Sequence, residues 1–185
     1  MKKLISIFTF MTLPLSAPLF AATGASLNIT PVVGLERVVK ISPVRTTKTR
    51  AILGARASYG VPLLRLEAQV TRSQDTETLP ERDLSEEEET YTGMLGIRSS
   101  FNMAFVNWYL RAGGHARKTE YTRTEAGVTT TREPAIYVSP YAGTGLNINV
   151  MGNFFVNAGI TVIFTGRPKG SDRDYQSTLS FGVKI

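Results

Sequence analysis

The stretch Tyr175–Ile185, YQSTLSFGVKI, decides the reading of this chain. Every second residue forms one face, Tyr175, Ser177, Leu179, Phe181, Val183 and Ile185. The other face is Gln176, Thr178, Ser180, Gly182 and Lys184. Period-2 alternation of this kind marks a strand with one dry and one wet side. A strand ending the sequence needs a neighbour on each side, or it leaves an unpaired edge. The expectation is a closed barrel whose dry face meets lipid and whose wet face lines the interior.

Upstream, the same alternation recurs. It predicts strands over Ser26–Val38, Thr46–Tyr59, Leu63–Ser73, Thr90–Phe101, a fifth from Phe105, then Ala135–Leu146, Phe154–Thr165 and the terminal stretch. Leu64, Leu66, Ala68 and Val70 against Arg65, Glu67, Gln69 and Thr71 show it most cleanly. The connections 38–45, 74–89, 118–133 and 166–174 are longer and charged, while 60–62, 102–104 and 147–153 are short. Gln74–Glu89, with the block Glu86–Glu89, has no apolar period and reads as a mobile loop. Lys118–Arg132 alternates threonine with charge, which predicts a polar hairpin extending beyond the membrane. Eight strands with short turns at one end and long loops at the other describe an all-β, antiparallel up-and-down barrel of the bacterial outer membrane.

The chain has 185 residues, enough for one domain. It opens with Lys2 and Lys3, an apolar run from Leu4 to Leu13 and small residues at Ala21–Ala25. That order predicts a cleavable signal peptide over residues 1–22, the boundary lying between 21 and 25, before a barrel domain over 23–185. Without Lys2 and Lys3 the chain has 19 basic against 15 acidic side chains, a net +4 with no arginine-rich helix, which excludes a nucleic-acid role. There is no cysteine, which excludes thiolate metal sites and disulfides and suits passage through the periplasm. No module follows the last strand, so no peptidoglycan-binding domain is expected.

A soluble eight-stranded barrel with its apolar face inward is the competing architecture. Three features favour lipid outside. Glycines 34, 54, 96, 113, 143, 145, 159 and 182 all fall on the wet face, where a narrow lumen needs room for Arg56, Tyr109, Arg111 and Tyr141. Tyr59, Tyr91, Phe101, Phe154, Phe164 and Tyr175 sit at strand ends, as interfacial girdles require, with Trp108 and Phe181 reading as deeper. The export signal is the third.

The wet face carries Glu36, Arg56, Arg65, Glu67, Arg98, Arg111 and Lys184. In a closed lumen these charges must pair, because an isolated buried charge is costly. Arg56 and Glu67 are expected nearly opposite around the Gly60 turn, with Arg65 diagonal. The pattern predicts a salt-bridged plug. The alternative is a narrow channel for small solutes, anion-preferring because basic residues outnumber acids. Arg117, Lys118, Arg123, Arg132, Arg167, Lys169 and Arg173 gather at the long-loop rim, where lipopolysaccharide phosphates would lie. His115 is the one histidine. A lipid A-modifying enzyme would need a serine or carboxylate beside it, and none stands nearby in sequence. No enzymatic role, metal or cofactor is expected.

The strand count, the loop alternation, the Pro140–Gly145 segment PYAGTG and the ending SFGVKI resemble the small eight-stranded outer-membrane barrels of the OmpA transmembrane-domain and OmpX type. The resemblance implies a monomer in outer-membrane lipid and lipopolysaccharide, with a structural or surface-interaction role. It also implies that Leu179, Phe181, Val183 and Ile185 form the terminal signal read by the barrel-assembly machinery. Ile185 departs from the usual terminal phenylalanine.

Overall fold

The computed structural model describes residues 25–40, 46–61, 63–79, 84–103, 106–125, 127–151, 154–165 and 173–184. The expected signal peptide lies outside these residues. Nine strands occur among them: β1 Ser26–Lys40, β2 Thr46–Val61, β3 Leu64–Leu79, β4 Leu84–Met103, β5 Val106–Glu125, β6 Val128–Arg132, β7 Tyr137–Met151, β8 Phe154–Ile163 and β9 Asp174–Lys184. All pairings are antiparallel. The order β4-β3-β2-β1-β9-β8-β7-β5 closes through a β4–β5 pairing, making an eight-stranded barrel with β6 as a short addition to β5. The terminal strand is the closing one in chain order, since β9 pairs with both β1 and β8.

The expected orientation holds. Leu53 (65% exposed), Leu66 (62%) and Leu95 (67%) point out, as do Leu35, Ile97 and Ile160. Glu67 and Gln176, on the opposite face, are 2% and 0% exposed. A continuous apolar belt around a closed sheet cannot face water, because soluble monomers rarely expose more than a few hundred Å² of contiguous apolar surface. Lipid satisfies it, and closure leaves no edge within the hydrocarbon. The interior is not uniformly wet, however. Val32, Ile52, Met94, Phe155 and Ile163 are buried within it, and Met94, Tyr141 and Ile163 form an apolar cluster.

The connections between β2 and β3, β4 and β5, and β7 and β8 are two residues each and lie at one end of the barrel, which places that end at the periplasm. Phe101 and Trp108 are facing residues there, stacked with ring centroids 5.5 Å apart. Trp108 therefore belongs to the periplasmic girdle instead of lying deep, because β4 continues to Met103. Phe181 faces Val156, one ladder step above Phe154.

Two expected connections are strand. Gln74–Glu89 is not a loop: β3 continues to Leu79, β4 starts at Leu84, and the two pair from Gln74↔Glu89 up to Leu79↔Leu84. This register sets Asp75 opposite Glu88 and Glu77 opposite Glu86. Like charges placed so would repel. Cations from β2 offset them: Lys48 Nζ donates to Asp75 at 2.9 Å and Glu77 at 2.5 Å, and Arg50 Nη1 donates to Glu88 at 2.8 Å. Burial alone would lower the Lys48 pKa, but the hydrogen bonds to Glu77 and Asp75 prevail and hold it above its usual range. Likewise Asn147–Met151 belongs to β7, with a register shift between Asn149 and Met151. The polar hairpin after Lys118 is present, turning at Gly127, whose φ of 78° suits glycine.

β4 and β5 have 20 residues each, about twice the ~10 that a tilted strand needs to cross a bilayer. Their outer halves, with the end of β3 and all of β6, form a four-stranded sheet standing above the membrane.

Candidate functional site

Two regions gather chemistry: the lumen and the outer rim. In the middle of the lumen Glu67, fully enclosed, is shared by three guanidiniums. Arg111 Nη1 lies 2.8 Å from it, Arg98 Nη1 3.4 Å and Arg56 Nε 3.9 Å. The register places Arg56 directly opposite Gln69, and Ser58 opposite Glu67, so the expected Arg56–Glu67 pair is diagonal. Gln69 Oε1 accepts from both Arg56 and Arg111. Arg56 Nη1 and Tyr109 Oη both donate to Asn157 Oδ1 at 3.1 Å. Arg98 lies over the Tyr109 ring, 3.7 Å from its centroid. Tyr109 fits because β7 and β8 present glycine to it: a Cβ at Gly145 or Gly159 would strike its hydroxyl.

A second layer sits nearer the cell exterior. Glu36 accepts from Arg50 Nε at 2.8 Å, Arg117 Nη2 at 2.6 Å and Gln176 Nε2 at 2.8 Å. Arg117 also donates to Asp174 at 2.7 Å. Arg117 was expected at the rim against lipopolysaccharide; it turns inward instead, because odd-numbered positions of β5 face the lumen and Glu36 and Asp174 receive it there. Sequence reasoning left Arg50, Glu88, Gln176 and Asp174 out of the lumen charge network. Arg50 and Gln176 already lay on the wet face, so the alternation held the signal. Glu88 and Asp174 were hidden in segments read as loops.

The remaining expected residues divide. Arg65 faces Arg98 in the ladder and donates to Ser26 Oγ at 3.0 Å, away from Glu67. The Lys184 side chain, and Arg167, Lys169 and Ile185, lie outside the described residues, as does the side chain of Val183. Leu179 and Phe181 point outward to lipid. Lys118 faces outward, paired with Glu120 and Glu133. Arg123 and Arg132 stand higher, on the protruding sheet's inner face, with Arg123 bound to Glu125 at 2.6 Å. Outward cations at the level of the outer girdle are Arg37, Arg72, Lys118 and Arg173; Arg72 lies over the Tyr91 ring and Arg173 over Phe164.

His115 does have a partner. Its Nδ1 lies 3.0 Å from Ser139 Oγ, the facing residue on β7, 24 positions away in sequence. Both are buried in the lumen, with His115 wholly enclosed. The pair therefore stands on the lumen face of the sheet, away from the lipid side.

No protein-family profile matches the chain, and no curated protein matches it by sequence. Solved structures do match in fold. Ail of Yersinia pestis, in complex with the heparin analogue sucrose octasulfate, superposes with a TM-score of 0.61 at 16% identity, over 88% of this chain and 99% of its own. Neisserial surface protein A gives 0.58 at 16% identity, over 88% and 99%. The outer-membrane protein OprG of Pseudomonas aeruginosa gives 0.54 at 8%, over 88% and 96%. The fold is that of small eight-stranded outer-membrane barrels.

Proposed function

We propose that this outer-membrane barrel is a non-conducting, non-enzymatic surface-interaction protein whose protruding sheet is the working part. The observation that carries this reading is the outer edge of that sheet at β6. The β3–β2 ladder runs as far as Ile52↔Ser73, and beyond it Lys48 of β2 reaches Asp75 and Glu77 through its side chain. β6 ends the sheet order and, among the described residues, pairs with β5 alone. An exposed edge of unpaired backbone groups is a template for an added strand. Lys48, Arg50 and Arg72 already meet Asp75, Glu77, Glu88 and Glu89, and Glu86 and Glu87 add further negative charge to the sheet, which favours an extended partner segment of basic character. Ail was solved with a sulfated polyanion; the carboxylates here argue for the opposite charge.

Below the sheet, Arg37, Arg72, Lys118 and Arg173 are proposed to meet lipopolysaccharide phosphates, bidentate contacts being the strength of arginine. The reading includes export by cleavage after about residue 22, insertion through the terminal signal at Leu179, Phe181, Val183 and Ile185, and a monomeric state. The test is binding of immobilised extended peptides, basic and acidic, to the full barrel in nanodiscs. A version with residues 76–83 and 121–131 replaced by tight turns is compared. Loss of basic-peptide binding on trimming is expected; equal binding by the trimmed barrel overturns the reading.

A further inference from the structure

At the periplasmic end the lumen opens into a cavity of about 290 Å³. Arg56, Arg65 and Arg98 frame it with six asparagines, and no carboxylate is among its lining residues. Its inner end is closed by the bonds that tie Arg56 and Tyr109 to Asn157. The cavity is thus a vestibule at the lumen's periplasmic mouth.

The charge around it is unbalanced. Among the described residues the carboxylate nearest it is Glu67, already divided among Arg56, Arg98 and Arg111. Arg65 and Arg98 face each other directly across the β3–β4 ladder, an arrangement that is destabilising for like charges unless something offsets it. The Arg98 side chain is only 8% exposed. The Nε atoms of Arg65 and Arg98 and the Nδ2 of Asn157 have no hydrogen-bond partner among the described residues. In the exterior half of the lumen three carboxylates, Glu36, Glu88 and Asp174, pair with two guanidiniums, Arg50 and Arg117. The interior is thus polarised along its axis, positive toward the periplasm.

We propose that this vestibule binds a small oxyanion, phosphate or carboxylate, from the periplasmic side. Guanidinium forks match the oxygen geometry of both groups, and desolvated cations gain most from such a partner. The asparagine amides supply further donors, which a spherical halide would leave unused. The proposal is independent of the adhesive reading, which rests on the opposite end of the barrel.

The full chain, refolded into nanodiscs, is titrated with inorganic phosphate and with citrate by calorimetry. Saturable binding of at least one is expected, weakened roughly tenfold, a full decade in Kd, by Arg65→Gln. Arg65 is half-buried and, among the described residues, its hydrogen bond is to Ser26, so this variant should fold. Asn147→Asp, which adds a carboxylate to the wall, should weaken it as much. Binding in phosphatidylcholine discs that disappears in phosphatidylglycerol discs would assign the site to a lipid headgroup; binding in both assigns it to a free solute. No saturable binding of either anion in phosphatidylcholine discs, or equal affinity in both variants, overturns the proposal.

Discussion

Glu67 and Arg111 meet at 2.8 Å in the centre of the barrel, though 44 residues separate them in the chain. Two more arginines lean on the same carboxylate. Removing one side of a buried pair leaves an uncompensated charge, at a cost of about 3–5 kcal/mol. Glu67→Gln should lower the thermal unfolding midpoint in detergent, and adding Arg111→Gln should restore part of the loss. An unchanged midpoint for the single variant would remove Glu67 from its central role.

In the proposed reading the same layer blocks the pore. In planar bilayers the native barrel should show no steady conductance, whereas Tyr109→Ala combined with Arg56→Ala should open one. A resting conductance in the native protein would favour the channel alternative.

Gly159 and Gly145 both face Tyr109, but they differ in what else a side chain would meet. A Cβ at Gly159 strikes the Tyr109 hydroxyl and otherwise finds the Thr144 carbonyl at 3.3 Å; one at Gly145 also strikes the Ala158 backbone carbonyl. Overpacking of this kind costs about 1–3 kcal/mol. Tyr109→Phe should therefore rescue much of the Gly159→Ala loss and little of the Gly145→Ala loss, read as unfolding midpoints.

Trp108 is the one tryptophan, and its Nε1 donates to Thr144 Oγ1 at 2.8 Å beside the Phe101 ring. Its fluorescence should be quenched more by lipids brominated near the headgroup than by lipids brominated at the chain end. The reverse order would displace it from the periplasmic girdle.

Lys48 pins the outer part of β3 through Asp75 and Glu77. Lys48→Met should speed hydrogen exchange at the amides of Gln74–Thr78 severalfold while leaving Leu66–Val70 unchanged. Uniform protection in both would mean that backbone pairing alone holds the extension.

Side-chain period two is a local property of a strand, so the sequence alone determined the eight membrane strands, their inward and outward faces and the end bearing short turns. Leu64, Leu66 and Ile160 point to lipid as their alternation required, and Glu36, Arg56, Glu67, Arg98 and Arg111 point inward. Partnership across the lumen is not local. Arg117 reaches Glu36 over 81 residues and Gln176 reaches it over 140, and only the closed register brings them together. For the same reason Gln74–Glu89 read as a loop: its repelling carboxylates become a strand pair through Lys48 and Arg50 on β2, cations that no window along the chain contains.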